Sequence, residues 1–188
     1  MKKASILLSI TALVFTLSAF TPPAGKFVSS NTHIKFYSTT PVEDIEANNY
    51  AAVSNLNPAT GDVIFAVPMQ GFEFEKSLMQ KHFNQEDFLD TKQFPKASLK
   101  GKITNLQDIN FDGDGAYQAT VEGELTIKGV TRPIKEQGTI TVKGNTIEVE
   151  SKFSITLADY GVTFVKGKPS SNIAKTVEVT LKAEYQPE

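Results

Sequence analysis

There is no cysteine in the 188 residues, so no disulfide can staple the fold and no lipid can be attached to an N-terminal cysteine; stability has to come from a core. Histidine is nearly absent as well, with only His33 and His82, and neither a Gly-x-Ser-x-Gly nor a His-x-x-x-His signature occurs. A nucleophile with its base, or a metal-activated water, therefore has little to be built from. Each histidine is read as a hydrogen-bonded structural or rim residue, and an enzyme as the weaker reading. A basic excess is missing too, since 19 Lys and Arg stand against 21 Asp and Glu, which argues against a nucleic-acid partner. No internal repeat, low-complexity tract or Gly/Ser linker divides the chain, so a single domain is expected.

The N-terminus has the layout of an address. Lys2 and Lys3 precede an apolar run from Ala4 to Phe20, with small residues near Ala19 and Ala24. This is the pattern of a secretory signal peptide, while Ser5, Ser9, Thr11, Thr16 and Ser18 make the run too polar for a membrane span. The expectation is a signal over residues 1–24, a domain over 25–188, and a periplasmic or secreted protein with no membrane anchor after cleavage. Loss of Lys2 and Lys3 moves the formal charge from −2 to −4. About 165 residues remain, enough for one domain with a substantial core.

Within that domain the dominant pattern is a period of two, which marks half-buried strands. Its strongest instance sets Tyr117, Ala119, Val121, Gly123, Leu125 and Ile127 against polar neighbours. A turn is expected at Gly129 and a new strand at Pro133, where a missing N–H is tolerated. Shorter runs are read from Asn31 (Ile34, Phe36), from Ile45 to Leu56, from Val63 to Met69, and from Ala97 to Ile103 with its lysines in solvent. Ile134 to Val142 and Ile147 to Leu157 form a hairpin about Gly144-Asn145, and Val177 to Ala183 close the series. Pro68 is expected at an edge or bulge. Between Phe72 and Phe94 the period lengthens, and Leu78, Met79, His82 and Phe83 predict one short helix.

About eight antiparallel strands with a helical insertion predict an all-β, lipocalin-like barrel, with a two-layer sandwich as the competitor. Long twisted strands favour closure because open edges are costly. Ala97, Gly101, Ala119 and Gly123 put small residues on the inward face, either as room for a ligand or as points where strands bend. Asn110, Asp112, Asp114 and Gly115 imitate a calcium loop, but Val121 stands where the bidentate glutamate belongs, so a solvated turn is the better reading. Glu136 would face inward by alternation; a bulge after Pro133 turning it to water is favoured over contact with a ligand head group. The late loop carries Asp159-Tyr160-Gly161 and Lys166-Gly167-Lys168-Pro169.

Two strings resemble a known family. Leu125-Thr-Ile-Lys-Gly-Val-Thr-Arg-Pro-Ile134 is similar to the "LTIHGVTRPV" string, and His82-Phe-Asn-Gln-Glu-Asp-Phe-Leu-Asp-Thr-Lys-Gln-Phe-Pro95 to the "HLxSxDFFDxxxYP" string, of the YceI-like exported bacterial proteins, the polyisoprenoid-binding lipocalin-like barrels. Gln80 departs from the family's aspartate and Ala158 from its arginine. The resemblance implies an elongated apolar tunnel for a long isoprenoid or quinone-like lipid, with no resident cofactor or metal; a homodimer is compatible with it. The lipid would lie along Ile34, Phe36, Phe65, Phe83, Leu99, Ile103 and Ala119. Val121, Gly123, Ile140, Phe153, Ile155, Tyr160 and Val179 complete the expected set. The alternative function is an envelope interaction module with a packed barrel and protein-binding loops.

Overall fold

Alternating sequence becomes alternating burial, and nine strands with one α-helix form in the computed structural model, which describes residues 25–162 and 173–188. The expected signal segment and Lys166 to Pro169 lie outside the described residues. The strands are β1 (Phe27–Thr39), β2 (Asp44–Leu56), β3 (Asp62–Pro68), β4 (Phe72–Phe74), β5 (Lys96–Ile103), β6 (Gly115–Ile127), β7 (Val130–Lys143), β8 (Thr146–Thr156) and β9 (Thr176–Pro187). The helix α1 (Ser77–Asn84) lies between β4 and β5. All pairings are antiparallel in the order β1-β9-β8-β7-β6-β5-β3-β2, and β2 pairs back onto β1 to close an eight-stranded barrel, with β4 as an added strand on β2. The barrel, not the sandwich, is the architecture.

The first two strands each change parity midway, and β1 begins four residues before the run read from Asn31. In β1 the inward residues run Phe27 and Ser29, then Thr32, Ile34 and onward, with register shifts against both β2 and β9. The Ser29 and Thr32 hydroxyls bond across this bulge at 3.0 Å. In β2 the parity flips at Tyr50 and Ala51, between buried Asn49 and buried Ala52. An extra residue per bulge turns a strand over without ending it.

β3 and β4 are two pieces of one interrupted strand, since both pair with β2 on either side of the Met69–Gly71 turn. Asn49 stitches the interruption: its Nδ2 donates to the Pro68 carbonyl at 2.8 Å, and its Oδ1 accepts from the Ala51 N–H at 2.9 Å. Pro68 thus sits at a strand end, as its missing donor requires.

β6 and β7 keep one register from Gly115↔Val142 to Ile127↔Val130, around a two-residue turn at Lys128 and Gly129 with φ of 49° and 75°. The new strand begins at Val130, so Pro133 lies inside β7 rather than at its start. Among the described residues, only Gly138 to Lys143 of β7 pair with β8, and Lys152 to Thr156 of β8 pair with β9 alone. The wall parts there. Pro133 blunts the β7 edge left there, and buried Tyr160 lies on the 3-10 turn Leu157–Tyr160 beside the seam, where Arg132 Nε donates to the Asp159 carbonyl at 2.9 Å.

The core is dense at the end of the barrel where β1 begins. Leu56, Val142, Ile147 and Tyr185 are 1 % exposed or less. The Tyr185 hydroxyl bonds Ser54 Oγ there, and burial pushes its pKa far upward. Asp112 N–H bonds Asn110 Oδ1 and Gly144 N–H bonds Asp114 Oδ1, so the calcium-like string is a pair of turn fasteners.

Candidate functional site: an apolar cavity under a helical cap

At the opposite end the barrel is not filled, and a cavity of about 350 Å³ lies between the strand ends and α1. Its barrel wall comes from Phe36, Ile45, Ile127, Ile155, Val177 and Val179. The cap contributes Met79, Phe83, Phe88 and Leu89, and the interrupted strand supplies Met69, Phe72 and Phe74. Among the described residues, Glu43, Lys76, His82 and Asp87 are the four charged or polar side chains of the twenty on the wall. The interior therefore solvates a hydrocarbon and little else.

The wall owes its rigidity to phenylalanine. Phe36 meets Phe72, Phe74 and Phe83 at ring centroid distances of 5.6, 5.6 and 5.8 Å, Phe83 meets Phe74 at 5.0 Å, and Phe88 adds a contact at 6.2 Å. Tilted and offset pairs of this kind contribute about 0.5–1.5 kcal/mol each beyond area burial. Phe83 is also the sole buried residue of α1, so the helix is held to the barrel chiefly by one ring.

The two strings that suggested a family meet at this cap. Lys128 Nζ donates to the Phe88 carbonyl at 2.6 Å, and Gly129 lies so close beneath Phe94 that an added Cβ would come within 2.7 Å of the ring. Inside the second string, buried Thr91 donates to Asn84 Oδ1 at 2.7 Å and Asn84 Nδ2 donates to the Gln80 carbonyl at 2.8 Å. These residues build the cap rather than touch its contents; Phe83, Phe88, Leu89 and Ile127 do the lining.

The cavity reaches the surface between α1 and the β1–β2 turn, because exposed Lys76 and Leu78 belong to its wall. Lys76 Nζ and Glu43 Oε1 form an ion pair of 2.8 Å across this mouth, which lifts the lysine above its ordinary pKa. His82 Nδ1 donates to Gln85 Oε1 at 2.9 Å on the cap. His33 is remote, stacked on Tyr50 at 4.6 Å and bonded to Asn48 Oδ1 at 2.8 Å.

Of the residues expected to line a tunnel, the structure brings Phe36, Phe83, Ile155 and Val179 together on the wall. Ile34, Phe65, Leu99 and Phe153 belong to the packing next to it, and Ile103, Ala119, Val121 and Ile140 to the core further along the barrel. Tyr160 lies on the turn beside the seam. Four of the fourteen expected residues are thus on the wall of this cavity. Gly123 offers no room either, because an added Cβ would overlap the Lys100 carbonyl and lie 2.5 Å from Gly101 Cα. At Gly101 it would fall 2.8 Å from Val121. These glycines let β5 and β6 approach closely, which is the bending alternative.

Glu136 corrects an expectation. The unbroken β6–β7 register leaves no bulge, so Glu136 stays inward, opposite Val121 and half-buried. Desolvation pushes its pKa up, and among the described residues no hydrogen bond or ion pair compensates it. It is not on the cavity wall. The sequence reading missed Phe72 and Phe74, whose alternation is only three residues long, and Met69 and Ile45 at strand ends.

A family model for the YceI-like domain matches residues 15–185. The chain belongs to the YceI-like family. The UPF0312 protein of Pseudomonas fluorescens is 31% identical over 99 residues, and Protein YceI of Escherichia coli O157:H7 is 25% identical over 129 residues. These alignments span 50% and 65% of this chain but only 49% and 63% of the relatives' own lengths. Among solved structures, a polyisoprenoid binding domain from Saccharophagus degradans is similar with a TM-score of 0.72 at 13% identity, covering 88% of this chain and 99% of that one. Burkholderia cenocepacia BcnA is similar with a TM-score of 0.67 at 18% identity, covering 81% and 95%. At such identities the likeness establishes the YceI-like barrel fold, with its helical insertion.

Proposed function

We propose that this protein is an exported, non-enzymatic carrier that shelters the hydrocarbon tail of an isoprenoid or similar amphiphile in the cavity beneath α1. The observation that carries this reading is the phenylalanine-rich, almost wholly apolar wall around about 350 Å³ of space. The polyisoprenoid-binding description of the Saccharophagus degradans domain agrees with it. Each methylene moved from water into the cavity contributes about 0.8 kcal/mol, so affinity needs few directional contacts. The four polar wall residues then face a head group at the mouth. Export rests on the basic, apolar and small-residue succession of the first 24 residues.

Native mass spectrometry of the protein purified from the envelope or medium tests both parts. The expected result is a chain starting between Phe20 and Lys26 that carries, or takes up, one prenol or quinone-like lipid. A clean apo mass that takes up no added prenol overturns the carrier in favour of a packed module acting through its loops. Intact Met1 in the membrane pellet overturns the export.

A further inference from the structure

The most exposed apolar side chains sit at the mouth of the apolar cavity. Among the described residues, Val42 and Leu78 are the two most exposed large hydrophobics, at 74 % and 61 %. Val42 stands in the β1–β2 turn, which is braced by its own backbone: the Val42 N–H bonds Thr40 Oγ1 and the Thr40 N–H bonds the Glu43 carbonyl. Leu78 stands in the first turn of α1 and is itself part of the cavity wall. The Glu43–Lys76 ion pair joins the two elements, next to Val42 and two residues before Leu78, which puts both tips on one rim. Phe74 and Met79 on the same wall are half-buried, so the apolar surface grades from exposed to enclosed.

We infer, resting on the carrier reading, that this rim is a membrane-docking surface: Val42 and Leu78 dip into the head-group region of a phospholipid bilayer and bring the cavity mouth to the lipid. Size favours a bilayer over a protein. A stable protein contact buries about 800 Å² on each partner, and two tips beside a charged pair offer no such face, whereas shallow insertion needs only protruding apolar groups. The cargo points the same way. Each methylene disfavours water about fourfold, so a tail of about ten methylenes is about a millionfold rarer in free solution than in lipid. A carrier whose mouth opens onto the bilayer removes that step. The charges indicate the kind of bilayer, because Glu43, Asp44 and Glu75 flank the tips against Lys76 and Lys81. No basic patch selects anionic lipid there, and docking is expected on zwitterionic lipid with little dependence on salt.

The protein contains no tryptophan, so Val42→Trp places a single reporter on the rim, and Val53→Trp places one on the exposed outer wall of β2 as a control. The full-length mature protein is mixed with phosphatidylcholine vesicles, with and without brominated acyl chains. The expected result is a blue shift and quenching of the Val42→Trp emission, with no change for Val53→Trp. No change in either variant, an equal change in both, or a change only with anionic vesicles overturns the docking surface. A second arm follows transfer of a fluorescent short prenol from the protein to the vesicles. Its rate is expected to rise in proportion to vesicle concentration, as contact requires, and to fall at least threefold in Val42→Ser. Equilibrium uptake of the prenol by that variant is expected to stay unchanged, since Val42 is not on the cavity wall. A rate independent of vesicle concentration overturns the inference, because the prenol then crosses through water. Absence of any prenol uptake overturns the carrier reading instead, and the tryptophan emission still decides the docking.

Discussion

Single side chains show where the small inward residues leave space and where they do not. Gly123→Ala puts a methyl group against the backbone of Lys100 and Gly101, which cannot swing aside as a side chain can. Denaturation in urea is expected to show a loss above about 3 kcal/mol, the upper end of ordinary overpacking. Glu136 makes the opposite case. A carboxylate whose folded pKa is raised binds its proton more tightly when folded, so stability falls as pH rises from the ordinary value of 4.5 through the raised one. Glu136→Gln is therefore expected to raise the thermal midpoint at pH 7, with the advantage shrinking to nothing near pH 4. An equal advantage at both pH values would mean that desolvation of the charge is not the cause. The inward direction of Glu136 was legible in the alternation itself; what misled was Pro133, whose ring is accommodated at the β7 edge beside the seam without any bulge.

Elements succeed or fail in the sequence according to whether one period runs their whole length. β6 and its turn to β7 are legible because a single alternation spans them, whereas β1 and β2 each contain a bulge that reverses parity; in β1 the residues before the reversal read as loop, and in β2 the alternation reads only as a weaker strand. β4 is too short to have a period at all. Its stitch, Asn49, is a polar residue at a buried strand position, a signal that looks like a break and is a repair. Asn49→Ala leaves the Ala51 N–H and the Pro68 carbonyl without their partner, and is expected to cost about 2–3 kcal/mol in a denaturant titration. The cap is the element with least holding it. With Phe83 as its one buried residue, α1 is expected to exchange its amide hydrogens well before the barrel strands, and a bound prenol to slow that exchange. Equal protection of α1 and β6 in the free protein would contradict a loosely held cap.

The whole molecule divides its labour along the barrel axis. One end is packed around Tyr185, Leu56 and Ile147 and supplies cooperative stability without any disulfide; the other leaves space beneath a helix and supplies the site. That division was only half legible in the sequence, because alternation tells which residues face inward but not at which depth, and depth is set by register across several strands. Ala119 illustrates the gap: it faces inward, opposite Gly138, yet belongs to the buried core rather than to the cavity wall. Ile155 and Val179 face inward on adjacent strands and belong to the wall. Two substitution sets therefore have opposite consequences. Ile155→Phe with Val179→Phe adds volume where there is space, so prenol uptake is expected to fall more than tenfold while the thermal midpoint holds or rises. Ala119→Phe adds volume where there is none, and is expected to cost about 1–3 kcal/mol while the cavity keeps its shape and folded protein keeps its uptake. Measuring uptake by native mass spectrometry and stability by thermal denaturation on both variants separates depth from direction. Loss of uptake in folded Ala119→Phe, with full uptake in the double variant, would move the site to the packed end and reverse the division.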